Sequence, residues 1–221
     1  MADEIPIPQL CDRYEALYPG AIADVLDDRG LTDQTLDRGI TPVRAEMSFA
    51  GVAYPCIGRP NRSVDEEENV RAILQMLGDA PEHGVVMYET NARDSAQIGE
   101  LSVECLLAND CRGAVLDGGA RDLNHILEND FPLFTKYCTP ADAVPRWEIL
   151  DWDSEAVVGG VDVTPGDIVV GDVDGVVVVP ESIAVEVLRE AEELADTENE
   201  VRAAVRDGVH PVDAYEEHGV F

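Results

Sequence analysis

The stretch Gly113–Asp122, "GAVLDGGARD", runs from an apolar, strand-like segment through two glycines into an Arg–Asp pair. One reading is plain: Gly118 and Gly119 make a turn, Asp122 caps the next helix and Arg121 is solvated. The sharper reading is a site for a small anion and a metal. Spacing alone leaves both open, because helix-capping Asp and surface Arg are common.

The flanking sequence decides the fold class. "GVVMYE" (84–89) reads as a buried strand, "QIGELSVECLLAND" (97–110) as a helix, "GAVLD" as the next strand and "DLNHILEND" (122–130) as the helix after it. Strand, helix, strand, helix in that order implies an α/β fold with parallel strands and right-handed crossovers. Further out, "LCDRYEALYPGAIADVLDDRG" (10–30) has helical periodicity in two pieces, interrupted by Pro19-Gly20 and stopped by Gly30. "ITPVRAEMSFAGVAYPCIG" (40–58) carries strand signals. "DEEENVRAILQML" (65–77) is a helix with acidic residues in its first turn, where the macrodipole favours them. In "VDVTPGDIVVGDVDGVVVVP" (161–180) two apolar runs flank "DVDG", which predicts a hairpin. Asp172-x-Asp174-Gly175 is not a calcium loop, since the glycine is misplaced and the closing glutamate is missing. From Glu181 to Asp207 an acidic helix carries Val187, Leu188, Ala191, Leu194, Ala195 and Val201 near helical spacing, with Gly208 as its stop. The expected organisation is one domain over residues 1–180 and a helical extension over 181–221, packed on the core or on a neighbouring subunit.

Composition narrows the function classes. With 221 residues, 45% of them hydrophobic, the chain can bury one substantial core. Its 46 acidic against 15 basic residues give a formal charge of −31, and Lys136 is the sole lysine. Such a surface repels phosphate backbones and anionic membranes, so neither nucleic acid nor membrane is an expected partner. It suits a cytoplasm of very high salt, where screening removes most self-repulsion. "MADEIPIPQL" does not read as a signal peptide, and no apolar run approaches the roughly 20 residues that span a bilayer, so a cytoplasmic location is expected. Cys11, Cys56, Cys105, Cys111 and Cys138 lack C-x-x-C spacing and read mostly as small buried hydrophobes.

Ligands of open α/β sheets sit beyond the carboxyl ends of parallel strands. A helix starting near Gly99-Glu100 travels away by about 15 Å in ten residues, and a five-residue strand returns by roughly 16 Å. The helix start and "GGARD" should therefore face each other. Free N–H groups at Gly99-Glu100-Leu101-Ser102 suit a carboxylate, as does the planar fork of Arg121. Glu100 and Asp122 supply oxygen ligands of the kind Mg²⁺ or Mn²⁺ accepts.

The segment "GELSVECLLANDCRGAVLDGGARDLNHILENDFPLF", with "AIADVLDDRG" before it and "GGVDVTPGDIVVGDVDGVVVVP" after it, resembles the RraA-like family, which includes 4-hydroxy-4-methyl-2-oxoglutarate and 4-carboxy-4-hydroxy-2-oxoadipate aldolases. The most specific piece is an acidic residue, twenty intervening residues, then Arg-Asp, matched by Glu100, Arg121 and Asp122. The resemblance implies a layered α/β/β sandwich of the swivelling β/β/α type with a C-terminal helix, assembled as a trimer or hexamer with sites between subunits. It implies a divalent metal on Asp122, with Glu100 reaching it through water, and pyruvate held by Arg121 and the amides of Gly99, Leu101 and Ser102. It also implies an acid from a neighbouring subunit, for which Glu198 or Glu200 is the candidate. This chain departs from the family in having Glu100 where the aldolases have Asp, and "PEHGVVMYETN" lacks the family's Pro-Gly-Asp turn.

Cleaving a 2-keto acid to pyruvate must stabilise an enolate. A Schiff base would need Lys136, which lies away from the constellation in sequence, so metal polarisation of the 2-keto oxygen is the better reading. His125, about one turn after Asp122, reads as a surface or interface residue before it reads as a base. The expected activity is a Mg²⁺- or Mn²⁺-dependent pyruvate aldolase with oxaloacetate decarboxylase activity, acting on a small 2-keto acid. The alternatives are a non-catalytic, protein-binding regulator of ribonuclease activity and a menaquinone-precursor methyltransferase. The methyltransferase lacks support, since no Gly-rich nucleotide loop followed by an acidic strand end is present.

Overall fold

The computed structural model describes residues 5–220. Two short helices, α1 (Ile7–Glu15) and α2 (Pro19–Asp28), open the chain. Pro19 does not interrupt α2 but starts it, since the first helical position has no use for the missing N–H. Strands β1 (Thr41–Pro42) and β2 (Phe49–Pro60) lead to helix α3 (Glu66–Asp79), whose first N–H groups are capped by Asp65 Oδ1 accepting from Glu68 N at 3.1 Å. Then come β3 (Gly84–Glu89), β4 (Ala96–Ile98), α4 (Glu100–Ala108), β5 (Gly113–Ala120), α5 (Leu123–Glu128), β6 (Leu133–Cys138) and β7 (Trp147–Trp152). A small pair, β8 (Ala156–Val158) and β9 (Val161–Val163), precedes the expected hairpin of β10 (Ile168–Asp172) and β11 (Gly175–Val179). The chain ends in α6 (Ala184–Arg206) and α7 (Pro211–His218).

Nine of these strands form one sheet in the order β1-β6-β5-β3-β2-β10-β11, in which β6, β5, β3 and β2 run parallel, as the strand–helix alternation predicts. Two strands fork it. β5 pairs with β3 over Gly113–Leu116 and then with β4 at Gly119 and Ala120. β2 pairs with β10 over Phe49–Val52 and with β7 over Cys56–Pro60. The sheet thereby curls into a nearly closed, barrel-like layer, and the architecture is the mixed α/β one with a C-terminal helix.

Side-chain alternation fills its two faces. Phe49, Ala53, Val85, Met87, Val115, Phe134, Val169 and Val178 share the inner cluster with Val158 and Val161 of the β8–β9 pair. Phe49 and Phe134 meet edge to face there, centroids 5.0 Å apart. Their neighbours Tyr54, Cys56, Val86, Tyr88, Ala114 and Leu116 point outward, beneath α3, α4 and α5. Ala50, Ile168, Val170, Val177 and Val179 face α1, α2 and α6, and α6 contributes Ala184, Val187, Leu188 and Ala191. Among the described residues, no helix is long and apolar enough to cross a membrane.

Candidate functional site

Strand β5 does not stop at Asp117 but continues through Gly118 and Gly119 to Ala120. The expected turn at these glycines is therefore corrected. Neither has a positive φ among the described residues, so backbone freedom is not their role. Close approach is. A Cβ on Gly118 would lie 2.5 Å from Thr90 Cγ2, and one on Gly119 would lie 2.4 Å from Tyr137 Cε2 and 2.6 Å from the Ser95 carbonyl. The missing side chains let a buried polar network close on the strand. Gly119 N donates to Gln97 Oε1 at 3.0 Å, Gln97 Nε2 to Ser95 Oγ at 3.0 Å, and Thr135 Oγ1 to the Gly118 carbonyl at 2.8 Å. Gln97 and Ile98, expected as the start of a helix over 97–110, belong instead to the strand β4 that this network binds to β5. Helix α4 then starts at Glu100, beside the end of β5.

Asp122 has φ 58° and ψ 32°, in the left-handed region that Asp tolerates better than most residues. It occupies the N-cap position of α5 but makes no side-chain cap bond. The capping role is corrected accordingly: the left-handed turn carries the carboxylate across to α4. There Oδ2 accepts from Glu100 N at 3.4 Å and lies 3.3 Å from Arg121 Nε. Gly99 makes this approach possible, since a Cβ on it would stand 2.6 Å from Asp122 Oδ2 and 3.2 Å from Arg121 Cγ and Nε. Among the described residues, Asp122 Oδ1 and the N–H groups of Leu101 and Ser102 have no hydrogen-bond partner. Asp122 and the helix-start residues Leu101 and Ser102 line the same space.

That space is a cavity of about 250 Å³ whose wall includes Gly99, Glu100, Leu101, Ser102, Arg121 and Asp122, the residues the sequence singles out. It adds one the sequence reading missed. Asp142 Oδ1 lies 3.3 Å from Arg121 Nη1 and accepts from Val144 N at 3.2 Å. A signal existed: β6 is parallel to β5, so the segment after it, "TPAD", ends at the same edge of the sheet. His125 lies outside the wall, with Nε2 3.7 Å from Glu100 Oε2.

The donor set favours a hard cation over a soft one, because Asp122, Glu100 and Asp142 offer carboxylate oxygens and no thiol or imidazole lines the wall. No group of three or more His, Cys, Asp or Glu side chains among the described residues is gathered to hold a metal ion. Mg²⁺ does not require one, since it binds through one or two carboxylates and keeps several waters. Asp122, with Oδ1 unpaired, fits that mode.

Lys136 belongs elsewhere. It lines a separate cavity of about 670 Å³, with Nζ 2.6 Å from Asp117 Oδ1 and 3.0 Å from Asp37 Oδ2. Burial alone would lower its pKa, but the hydrogen bonds it donates to Asp117 and Asp37 outweigh that and raise it. Such an ammonium is a poor Schiff-base nucleophile. Glu198 and Glu200 lie on the last turns of α6, where Glu198 meets Arg202 at 3.9 Å and Glu200 meets His218 at 3.6 Å. Neither lines the 250 Å³ cavity.

A family model described as RraA-like, Aldolase/RraA, matches residues 8–178. A protein of Halalkalibacterium halodurans with the provisional name 4-hydroxy-4-methyl-2-oxoglutarate aldolase is 28% identical over 203 residues, 92% of this chain and 91% of its own length. An uncharacterized protein of Methanocaldococcus jannaschii is 34% identical over 202 residues, 91% of this chain and 86% of its own length. Protein DlpA of Legionella pneumophila is 25% identical over 91% of this chain, which spans about a third (32%) of DlpA. Among solved structures, one described as of novel cellulases from microbes associated with the gut ecosystem superposes with a TM-score of 0.84 at 33% identity, covering 90% of each chain.

Proposed function

Because this chain belongs to the RraA-like family, we propose that it is a divalent-metal-dependent aldolase that releases pyruvate from 4-hydroxy-2-oxo acids such as 4-hydroxy-4-methyl-2-oxoglutarate, and that it also decarboxylates oxaloacetate. The observation that carries this reading is the Arg121–Asp122 pair held against the start of α4, with the Asp122 carboxylate drawn away from its own helix. A Mg²⁺ or Mn²⁺ ion on Asp122, with Glu100 reaching it through water, would polarise the 2-keto oxygen and offset enolate charge.

The chain's own groups account for the rest. Arg121 receives the substrate carboxylate, together with the unpaired N–H groups of Leu101 and Ser102. This fixes the 2-keto end, and Glu100 lines the same cavity. Glu100, directly or through one water, takes the proton of the 4-hydroxyl as the C3–C4 bond breaks. The electron pair of that bond stays on the pyruvate fragment, the 4-carbon leaves as a carbonyl compound, and the same proton returns to C3 to give the pyruvate methyl group. With oxaloacetate the fragment that leaves is CO₂, and the proton that C3 takes up comes from water, since that substrate has no 4-hydroxyl to supply it. His125 Nε2 lies 3.7 Å from Glu100 Oε2, outside the cavity wall. A glucan-cleaving role has less support, because the small cavity has no aromatic side chain in its wall on which sugar rings would stack.

The test measures pyruvate release from 4-hydroxy-4-methyl-2-oxoglutarate and from oxaloacetate in molar KCl, with Mg²⁺ and with chelator. Turnover that chelation abolishes and Mg²⁺ restores is expected. No release from either substrate, together with no exchange of pyruvate methyl protons with D₂O, with metal present would overturn the reading in favour of the protein-binding regulator.

A further inference from the structure

The wall of the 250 Å³ cavity holds three carboxylates, Glu100, Asp122 and Asp142, against one cation, Arg121. That guanidinium is already shared: Nε lies 3.3 Å from Asp122 and Nη1 3.3 Å from Asp142. It can serve one substrate carboxylate. A second carboxylate, at the far end of the substrate, would find no cation in this wall. The next guanidinium, Arg146, donates through Nη1 to the Asp142 backbone carbonyl at 2.8 Å and is not part of the wall. A cation on Asp122 and Glu100 would neutralise the keto end only and leave Asp142 negative. We infer that Asp142 is a specificity-determining residue, and that the site prefers 4-hydroxy-2-oxo acids with a single carboxylate and a neutral, hydroxylated remainder over dicarboxylates.

The chemistry of Asp142 suits that remainder. Its Oδ1 is occupied by Arg121 and by Val144 N at 3.2 Å. Oδ2 is left to accept a charge-assisted hydrogen bond from a substrate hydroxyl. A carboxylate in the same place meets like charge, the repulsive element by which sites reject a near-isostere. Ile73, Ala143 and Val144 beside it offer contact to the carbon chain.

This inference rests on the proposed pyruvate chemistry, so the experiment separates the two. Calorimetry in Mg²⁺ and molar KCl compares 2-oxopentanoate with 2-oxoglutarate, which have the same chain length and differ in the terminal carboxylate. The wild type should bind 2-oxopentanoate at least about tenfold more tightly. Asp142→Asn, which keeps the side-chain shape, should bring the two within about threefold by improving 2-oxoglutarate. Turnover should follow, with kcat/KM higher for 4-hydroxy-2-oxopentanoate or a 2-keto-3-deoxy sugar acid than for 4-hydroxy-4-methyl-2-oxoglutarate. Exchange of pyruvate methyl protons with D₂O is indifferent to the far end of the substrate. Exchange together with equal or tighter binding of 2-oxoglutarate by the wild type, or a preference unmoved in Asp142→Asn, overturns the selectivity alone. Absence of exchange overturns the pyruvate reading and the selectivity with it.

Discussion

The two cavities at the end of β5 differ in size and, more tellingly, in how their polar groups are satisfied. The larger, about 670 Å³, holds the sole lysine. Every carboxylate oxygen around that lysine has a partner. Asp117 Oδ1 takes Lys136 and Oδ2 takes Gly159 N at 3.3 Å; Asp37 Oδ2 takes Lys136 and Oδ1 takes Gly39 N at 2.8 Å. These bonds tie β6 and β5 to the loop before β1 and to the β8–β9 turn, so the cluster closes the barrel. The smaller cavity, about 250 Å³, leaves Asp122 Oδ1 and the amides of Leu101 and Ser102 without partners among the described residues. Polar groups left open at a helix start can take a ligand, whereas a network whose oxygens are all paired within the fold ties its strands together. The one strand serves both, with Asp117 at the larger cavity and Arg121-Asp122 just past its end at the smaller.

Substitutions in the two cavities should have opposite effects. Asp122→Asn keeps a residue that tolerates the left-handed backbone, so the melting temperature should hold while metal-dependent turnover falls by roughly 10²-fold or more. Arg121→Lys keeps the charge and loses the fork, and should raise KM and lower kcat together. Lys136→Met should do the reverse. It leaves Asp117 and Asp37 facing each other without a cation, which after discounting for partial solvent exposure costs about 1–3 kcal/mol in urea unfolding. Folded Lys136→Met protein should keep turnover within about threefold of wild type, a margin worth well under 1 kcal/mol. A dead but stable Lys136→Met enzyme would move the chemistry to the larger cavity.

A pH series refines the structural side. Gly39 N and then Lys136 hold the Asp37 carboxyl below its usual range, so its contribution is present above the unfolded pKa of about 4 and fades as pH falls through the lower folded value. Lys136 is raised, so its contribution is full below the unfolded pKa of about 10.4 and fades as pH rises through the folded value. Stability of the wild type measured against Lys136→Met should therefore differ across the range between those limits and converge beyond them. A difference that is flat from strongly acid to strongly alkaline pH would contradict the pairing.

Smaller effects are expected from salt and assembly. Because −31 charges share one surface, the melting temperature should fall by several degrees on dilution from molar to millimolar KCl. Leu101, on the rim of the smaller cavity, is 77% exposed, an apolar surface a neighbouring subunit would cover. We propose a trimer or hexamer in which Glu198 or Glu200 of a neighbour approaches that rim. Light scattering in high salt checks it, and a monomer would remove both the assembly and the neighbouring acid.

Much of this was legible locally. "GVVMYE", "GAVLD" and "IVVGDVDGVVVV" announce their strands through apolar runs and turn residues, and Glu100, Arg121 and Asp122 converge because one helix and one strand separate them. What escaped depends on contacts between distant segments. Gly118-Gly119 looks like a turn until Thr90, Ser95 and Tyr137 are seen pressing on the strand. β4 is too short to declare itself, and exists because Gln97 binds Gly119. Asp122 looks like a cap because its position is one; the left-handed backbone that withdraws its carboxylate is not written in the residue type. Asp142 follows a proline in an irregular segment, and only the parallel pairing of β6 with β5 brings it to Arg121.

Generation of a pyruvate enolate in the Arg121–Asp122 cavity is the chemistry we propose. It is tested most directly by following the methyl protons of pyruvate in D₂O by NMR, with Mg²⁺ in molar KCl, for the wild type, Asp122→Asn and Lys136→Met. Exchange by the wild type and Lys136→Met, lost in Asp122→Asn and on chelation, is the expected result. Exchange that survives in Asp122→Asn, or that disappears only in Lys136→Met, would contradict the account.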